Sequence, residues 1–351
     1  MYNIHLLPAL FGDAILIEYG TQVDPKYILI DGGPYYGYSG MMAGLKRVAP
    51  NIKTIELLIV THTDIDHIDG IITFLNQSPL PITVKQIWFN GFAQINQPEI
   101  RGSILGALQG EYLSKLIADR QLVHNGDFGG KAVVIRDPNA LPVINCSGFT
   151  LTLLTPSIKA LQKLYVDWKK EIAKIEAKET VDARWQKETR YTAAPSDVLG
   201  GSGSPDKSIA NICSIAFIGT YEGKSCLFAG DAPSDELLPV IQLLKAQRGE
   251  PRFTLDAWKL AHHGSQRSTT RKLAEALMAK HILVSSNGSI HHLPDEACIQ
   301  NVVETQPGCV LYFNYTSEYN TRWKDPALQG QLNFVARYPT DDGKPGISIH
   351  L

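Results

Sequence analysis

The segment HTDIDH, residues 62–67, directly follows the apolar run Ile55–Val60, so candidate metal ligands emerge where a buried strand ends. We expect His62 and Asp64 to bind one metal ion, and Asp66 and His67 to bind a second. Imidazole and carboxylate groups suit zinc, and also manganese or iron where oxygen donors dominate. The competing interpretation is a solvated turn that caps a helix starting near residues 69–70. Two histidines and two acids within six residues favour metal binding.

Composition and charge exclude several classes of protein. The chain has 351 residues, 44% hydrophobic and 19% charged, which is ordinary for a globular protein. A net charge of −2 gives no overall field for nucleic acid, so a polyanionic substrate needs a local patch or the metals. No apolar run reaches the roughly 18–20 residues of a membrane span, and no signal core follows Met1, so we expect no membrane association and a cytoplasmic location. The five cysteines form no CxxC pair and are predicted to be buried thiols.

Apolar runs and helical spacing predict alternating strands and helices in one domain, residues 1–351. Helices are expected around Met41–Arg47 and Ile71–Leu75. Predicted strands are Ile4–Leu7, Ala14–Tyr19, Tyr27–Ile30, Ile55–Val60, Ile87–Phe89, Lys131–Ile135, Phe149–Leu154, Ile212–Gly219, Lys224–Ala229, Ala257–Leu260, Ile282–Ser285 and Val310–Phe313.

Two stretches, at about residues 91–130 and 157–205, depart from this rhythm and are interpreted as insertions. The first contains a helical piece around Leu105–Ala118. The second carries apolar residues at helical spacing over Ser157–Glu188, followed by a Gly/Ser-rich tail at residues 200–205 that is expected to be mobile. The second insertion is either a substrate lid or a decoration of the fold.

The second half of the chain offers further metal ligands at strand ends. Asp231 ends an apolar run after Gly230, and its alternative role is to cap the helix that follows. His262 and His263 end another run, and a later run is followed by His291 and His292. If these strands are parallel, their carboxyl ends lie at one edge, where open α/β folds build their sites.

In combination, these residues resemble the metallo-β-lactamase-fold hydrolases. The matching motifs are HxDxDH at 62–67, Gly-Asp at 230–231, HHGS at 262–265, His-x-Pro at 292–294, Gly-Asp-Ala at 12–14 and Ile-Asp-Gly-Gly at 30–33. The nearest likeness is to the metallohydrolase domain of ComEC-type competence (DNA-uptake) proteins. The resemblance implies a four-layer αββα sandwich of the α/β (α+β) class, with helical insertions and two metal ions at one edge.

Carried over by position, the resemblance implies a ligand set that extends the first motif. It makes Asp231 the bridge between the metals and His292 the last ligand. It favours His262 as a further ligand, with His263 left open as the alternative register. It also makes Asp31 an acid that orients a ligand imidazole.

Two departures from the commonest family pattern affect the metal. Asp64 stands where most members have histidine, which makes manganese or iron a serious alternative to zinc. The usual mid-chain histidine has no clear counterpart, because His124 lies in the first insertion. The competence-type proteins also lack it, so His262 or His292 is expected to fill this place.

The site predicts hydrolysis. Two ions roughly 3.5–4 Å apart activate a bridging water as hydroxide and hold both oxygens of an in-line displacement. We expect a metal-dependent phosphodiesterase or nuclease with Asp66 and Asp231 as catalytic residues, acting on a phosphodiester or another small hydrolysable substrate and, as an option, on nucleic acid. The alternatives are a small-molecule hydrolase of lactones, thioesters or β-lactams, and a low-turnover metal-binding scaffold for a protein partner. The tyrosines at 35, 36 and 38 would wall an apolar pocket, stack on bases or pack their own loop.

Overall fold

The computed structural model describes residues 1–96, 107–165, 208–339 and 343–351. The strands are β1 (Tyr2–Leu6), β2 (Ile15–Gly20), β3 (Pro25–Ile30), β4 (Thr54–Ile55), β5 (Leu57–Ile59), β6 (Thr83–Val84), β7 (Gln86–Trp88), β8 (Val123–His124), β9 (Val143–Cys146), β10 (Phe149–Thr155), β11 (Ala216–Tyr221), β12 (Lys224–Phe228), β13 (Phe253–Lys259), β14 (Leu277–Val284), β15 (Val310–Phe313), β16 (Val335–Arg337) and β17 (Ile347–His350). The helices are α1 (Tyr38–Val48), α2 (Ile65–Leu75), α3 (Phe92–Ile95), α4 (Ala107–Asp119), α5 (Ile209–Ile212), α6 (Ser234–Arg248), α7 (Arg271–Ala276), α8 (Glu296–Thr305) and α9 (Pro326–Leu332). Residues 158–165 are also helical.

Two large sheets are built from these strands. The first has the order β17-β1-β2-β3-β5-β7-β8, and the second has the order β16-β15-β14-β13-β12-β11-β10-β9. Strands β3, β5, β7 and β8 are parallel in the first sheet, and β12 to β16 are parallel in the second. Parallel neighbours bring their carboxyl ends to one edge, so the loops that follow them meet there.

Alternating side chains divide the core into three apolar layers between four layers of backbone. In β5, Leu57 and Ile59 face the space between the sheets, whereas Leu58 faces the helices α1, α2 and α4. In the second sheet, Phe228 faces inward and Leu227 packs beneath α6, α7 and α8. Because successive side chains of a strand point to opposite faces, continuous apolar runs signal strands that are buried on both sides. This is the αββα sandwich that the sequence predicts.

Most predicted elements are confirmed, and the differences have local causes. The run Ile55–Val60 is two strands, because Thr54 and Ile55 pair with β6 outside the main sheet. Helix α2 begins at Ile65, ahead of the expected start, so Asp66 and His67 lie in its first turn, whereas His62 and Asp64 precede it. Residues 131–135 form no strand, and only Ile135 makes an isolated bridge to Ser157.

Of the first predicted insertion, residues 91–96 and 107–130 are described, and they pack against the rest of the fold. Helix α4 packs on α2, with Leu113 and Ile117 buried in the helical layer, and β8 pairs with β7. Of the second predicted insertion, residues 157–165 are described, and Leu161 and Leu164 belong to the same layer. The rest of that stretch, including the expected Gly/Ser-rich tail, lies outside the described residues. Before β11, Ile209–Ile212 is helical, so the predicted strand begins late, at Ala216.

Two other expectations concern membrane-spanning helices and the cysteines. Among the described residues, no helix combines the length and the apolar character that crossing a membrane requires. All five cysteines are buried and free, as predicted.

Candidate metal centre

The edge formed by the carboxyl ends of the parallel strands collects the polar residues singled out in the sequence. Asp31 follows β3, and His62 follows β5 after a short connection. Asp231 follows β12, and His262 and His263 follow β13. Since β3 is paired with β5, and β12 with β13, these side chains converge from both sheets.

Two overlapping groups of ligand atoms lie at this convergence. His62, His67 and Asp231 form one, and Asp66, His67 and His263 form the other, with the ligand atoms of each group within 4.8 Å of one another. Asp231 reaches toward both groups, because its Oδ1 lies 3.3 Å from His67 Nε2 and its Oδ2 lies 3.8 Å from His263 Nε2. His263 Nε2 is 3.1 Å from Asp66 Oδ2.

The acid Asp31 orients two of the imidazoles. Its Oδ2 accepts a hydrogen bond from His67 Nδ1 at 2.8 Å and another from the Thr61 hydroxyl at 2.7 Å. That hydroxyl is therefore an acceptor for His62 Nδ1, which is 2.9 Å away. With Nδ1 donating on both rings, each Nε2 is directed to the centre, and in the neutral ring this is the tautomer that a metal ligand needs.

His263 is likewise held at its Nδ1 atom, by the loop that follows the neighbouring strand β14. Its Nδ1 lies 3.0 Å from the carbonyl oxygen of Ser285, so Nδ1 donates and Nε2 faces Asp66. The carboxylate of Asp13 stands behind it, with Oδ1 3.4 Å from His263 Nδ1 and Oδ2 2.6 Å from the ammonium of Lys259.

The residues present fit divalent metal ions. His62 Nε2, His67 Nε2 and Asp231 Oδ1 are buried, and they have no hydrogen-bond partner among the described residues. Buried polar atoms are almost always paired, because leaving them unpaired costs free energy. A cation would satisfy all three atoms at once, and mixed imidazole and carboxylate donors suit zinc, manganese or iron.

The charges within the cluster shift its pKa values strongly. Burial alone would lower the pKa of His263, but Asp231 and Asp13 raise it to about 10. The pKa of His67 is likewise raised, against the effect of burial, by Asp231, Asp66 and Asp31. Burial would raise the pKa of Asp231, yet the neighbouring imidazoles hold it well below its usual range. The cluster thus keeps the Asp231 carboxylate ionised, ready for a cation.

Asp64 is more exposed than Asp66, the other acid of the motif. It occupies the position before the first turn of α2, but its side chain makes no capping hydrogen bond. Its Oδ2 lies 3.6 Å from His62 Nε2, and 39% of the side chain is exposed. The carboxylate therefore faces the cluster rather than the end of the helix, which disfavours the interpretation of the motif as a simple capped turn.

Both histidines of the HHGS segment reach the cluster. They lie in a turn, Ala261–Gly264, in which His262 and His263 have φ values of 49° and 55°. Side chains other than glycine rarely adopt this left-handed region, and such strain is concentrated at functional sites. His262 Nε2 lies 3.7 Å from Asp231 Oδ2, and His263 Nε2 lies 3.8 Å from the same oxygen. The turn thus places both rings near Asp231, and of the two histidines His263 belongs to one of the two ligand groups.

The expected last ligand, His292, is not brought into either group. Its ring packs on Tyr319 at 4.8 Å, and its backbone amide donates to the carbonyl oxygen of Gly288. His291 lies nearer the centre instead. Partial burial lowers its pKa, and the charges of Asp66 and Asp231 act in the opposite direction.

The mid-chain histidine, His124, is also remote from the cluster. Its Nε2 lies 2.8 Å from the carbonyl oxygen of Phe89, and its Nδ1 lies 3.2 Å from Gln94 Nε2. Both ring nitrogens are therefore used within the fold. No described residue between the first motif and Asp231 joins the two groups.

The residues that support the centre carried weaker sequence signals. Thr61 stands between the strand and the motif, and its role depends on Asp31. Asp13 is part of the Gly-Asp-Ala motif, to which the sequence assigned no role. Lys259 lies within the apolar run Ala257–Leu260. The carboxylate and the ammonium lie on different sheets, so only an unusual lysine inside a predicted buried strand hinted at the pair.

Comparisons with known proteins bear on the fold. A family model described as the metallo-beta-lactamase superfamily matches residues 7–92, which include the first motif. The chain is similar to the diiron β-hydroxylase CmlA from Streptomyces venezuelae, at 12% identity and a TM-score of 0.42, over 100% of this chain and 54% of that one. It thus spans about half the length of that protein.

Two further solved structures align over nearly their whole length. Zn²⁺-bound PqqB from Methylobacterium extorquens has 11% identity and a TM-score of 0.41, over 99% of this chain and 100% of that one. A diphosphatase from the PhnP family has 11% identity and a TM-score of 0.40, over 99% and 98%. No protein of curated function matches the sequence. The αββα layers agree with the metallo-β-lactamase fold, and the family model matches the first part of the chain within them.

Proposed function

We propose that this protein is a metal-dependent hydrolase that cleaves phosphodiesters at a centre for two divalent ions. The observation that carries the proposal is the pair of ligand groups that share His67 and are spanned by Asp231. When bound, the ions supply the Lewis acidity that activates water and neutralises charge on phosphoryl oxygens. Zinc, manganese and iron all suit these donors.

The residues divide into two proposed ligand sets. His62, Asp64 and His262 serve one ion, and Asp66, His67 and His263 serve the other. Asp231 is proposed as the bridge, because its two oxygens face different imidazoles. The only change from the set expected from sequence is that His263 takes the place of His292.

The supporting residues hold these ligands still. Asp31 fixes the tautomer and direction of His67, and the Lys259–Asp13 pair stands behind His263. Such outer contacts commonly change metal affinity or activity by about 10–100-fold when removed. They leave the reacting groups preorganised before a substrate arrives.

A phosphodiester is the proposed substrate class for two reasons. Asp64 adds an oxygen donor where most family members have nitrogen, and the HxDxDH and HHGS segments resemble the ComEC-type metallohydrolase domain. A nucleic acid or nucleotide is the proposed natural partner. With a net charge of −2 and no overall field, the chain would depend on the metals to hold the phosphate.

The test begins with chelated protein reloaded separately with Zn²⁺, Mn²⁺ or Fe²⁺. Bound metal is measured by elemental analysis, and turnover is measured on bis-p-nitrophenyl phosphate, a lactone and a thioester. We expect close to two ions per chain and a marked preference for the diester. A preference for the lactone or thioester would replace the phosphodiesterase assignment, and metal without turnover would indicate a binding scaffold.

The matched variants are Asp231→Ala and Asp235→Ala. Asp231 is buried in the centre, whereas Asp235 is an exposed acid in the first turn of α6. We expect Asp231→Ala to lose metal and at least 100-fold in kcat/KM while its circular dichroism spectrum stays native. Asp235→Ala should behave as the wild type. Full activity and full metal content in Asp231→Ala would refute the bridging role.

A further inference from the structure

An aromatic rim stands beside the metal centre, formed by Phe11, Tyr36 and His291. The rings of Phe11 and Tyr36 are 6.0 Å apart, and those of Phe11 and His291 are 6.2 Å apart. Phe11 is buried between its two neighbours, whereas Tyr36 is 46% exposed and His291 is also exposed. An exposed large aromatic side chain braced by a buried one is a ready surface for a flat ligand.

The loop that carries Tyr36 is tied to the metal-binding helix. Gly32 N donates to the carbonyl oxygen of His67 at 2.9 Å, and Gly70 N donates to that of Gly33 at 2.8 Å. The turn Tyr35–Gly37 then packs on α2. Only two residues separate Gly33 from Tyr36, so the ring stands close to the first turn of that helix.

The other two members of the rim are connected in the same way. Asn287 N donates to the carbonyl oxygen of Leu10 at 2.8 Å, and the hydroxyl of Ser285 donates to that of Gly12 at 3.1 Å. These bonds join the loop of His291 to the loop of Phe11. The rim is therefore assembled from three loops at the carboxyl ends of β1, β3 and β14, the edge that also holds the centre.

The electrostatics agree with this placement. Desolvation raises the pKa of Tyr36, and the charges of Asp66 and Asp69 raise it further. Burial lowers the pKa of His291, and the charges of Asp66 and Asp231 act to raise it. Both flanks of the rim thus lie within reach of the charges at the centre.

We propose that the aromatic rim binds the nucleobase of a nucleotide whose phosphate lies at the metal centre, with Tyr36 as the stacking surface. This inference deepens the proposed function and rests on it for the position of the phosphate. Stacking on an aromatic side chain tolerates every base, because each base has a π face. The rim would therefore favour nucleotide esters over simple alkyl esters without selecting a sequence.

Neighbouring Tyr35 provides a matched control. It is 44% exposed, almost the same as Tyr36, and lies in the same turn, but the tyrosine ring that packs on Phe11 is that of Tyr36. The variants are Tyr36→Ala, Tyr36→Phe and Tyr35→Ala. Tyr36→Phe keeps the ring and removes only the hydroxyl, so it separates stacking from hydrogen bonding.

Binding is measured first, by calorimetry on the metal-loaded protein with adenosine 5′-monophosphate and ribose 5-phosphate. We expect the base to tighten binding to the wild type by about tenfold, a typical contribution of one stacked base. Tyr36→Ala should lose that preference, while Tyr36→Phe and Tyr35→Ala keep it. Equal binding of both ligands to the wild type, or an unchanged preference in Tyr36→Ala, would overturn the proposal.

Turnover is measured second, with thymidine 5′-p-nitrophenyl phosphate and methyl p-nitrophenyl phosphate. Both release the same leaving group, so the ratio of their kcat/KM values reports the nucleoside alone. We expect this ratio to fall about tenfold in Tyr36→Ala only. A base preference in binding without hydrolysis of either ester would overturn the phosphodiesterase assignment and keep the rim as a nucleotide site, whereas hydrolysis of both esters with no base preference would overturn the rim alone.

Discussion

His262 and His263 are adjacent in one left-handed turn, yet their imidazoles have different surroundings. His263 is fully buried and contacts Ser285, Asp66 and Asp13. His262 is partly exposed and has Ser268 Oγ 3.3 Å from its Nδ1. A ligand fixed by several neighbours loses less conformational entropy when it binds metal. His263 should therefore contribute more to metal affinity than His262.

The first prediction ranks the histidines by metal content. His263→Ala should lose most of one ion per chain, and His262→Ala should show a smaller loss that appears at limiting metal. His292→Ala should keep the full content, because its ring packs on Tyr319. Elemental analysis after dialysis against graded chelator provides the measurement. Loss of metal in His292→Ala with retention in His263→Ala would return the last ligand to the position expected from sequence.

At the scale of elements, the loop after β1 and the start of α2 approach each other so closely that only glycine fits. A Cβ at Gly12 would lie 1.9 Å from the carbonyl oxygen of Asp66. The amide of the next residue, Asp13, donates to that same oxygen at 3.2 Å. This contact sets the height of the first turn of α2, and with it the position of the Asp66 carboxylate.

The second prediction compares two glycine substitutions. Gly12→Ala must displace backbone, so we expect a loss of about 1–3 kcal/mol in the free energy of unfolding and weaker metal binding. Gly330 lies inside α9 with open space around its missing side chain. Gly330→Ala should therefore stabilise the protein by roughly 0.5–1 kcal/mol. Urea unfolding of both variants tests this, and equal stabilities would show that the loop can yield without cost.

At the scale of the whole molecule, a buried ion pair crosses between the two sheets. Lys259 ends β13, and its fully buried ammonium lies 2.6 Å from the carboxylate of Asp13, in the loop after β1. Burial would raise the pKa of Asp13, but the charges of Lys259 and His263 hold it below its usual range. Removing one partner of a buried ion pair destabilises a protein more than removing both, because the remaining charge stays buried without a counter-charge.

The third prediction concerns this pair. Lys259→Met leaves the Asp13 carboxylate buried without its main counter-charge, so the chelated protein should lose about 3–5 kcal/mol of unfolding free energy. The double variant Asp13→Asn/Lys259→Met should recover a large part of that loss. Urea denaturation of all four proteins in the cycle gives the coupling energy. A double variant no more stable than Lys259→Met would contradict a direct interaction between the two groups.

The fourth prediction gives the pH dependence of the metal-free protein. The pKa of His263 is raised from 6.5 to about 10, so its contribution to stability is complete below about pH 6.5 and is lost as the pH rises through about 10. The pKa of Asp66 is lowered from 3.8 to about 2, so its contribution is lost only as the pH falls toward 2. The free energy of unfolding should thus be highest between about pH 3.8 and pH 6.5, where both contributions are complete, and should fall as the pH rises toward 10.

Urea unfolding of chelated protein between pH 5 and 10.5, buffered at constant ionic strength, measures this profile. His263→Gln should flatten the alkaline fall, whereas His350→Gln, at an exposed position of β17, should not. Metal binding requires neutral imidazole, so apparent metal affinity should rise over the same range. An alkaline fall of the same size in His263→Gln would assign it to other groups.

The features that could be predicted from the sequence are those encoded by residues close together in the chain. Apolar runs mark strands buried on both faces, and polar residues directly after them mark the sheet edge, so the pattern alone predicts His62, Asp64, Asp66 and His67 as ligands, and the family resemblance adds Asp231. The direction of a side chain in a loop could not be predicted in this way, because it depends on contacts with residues distant in the chain. The turn at 261–264 brings both histidines to Asp231, whereas the ring of His292 packs on Tyr319. The Lys259–Asp13 pair joins residues far apart in the chain, and only the packing of the two sheets brings the ammonium and the carboxylate together.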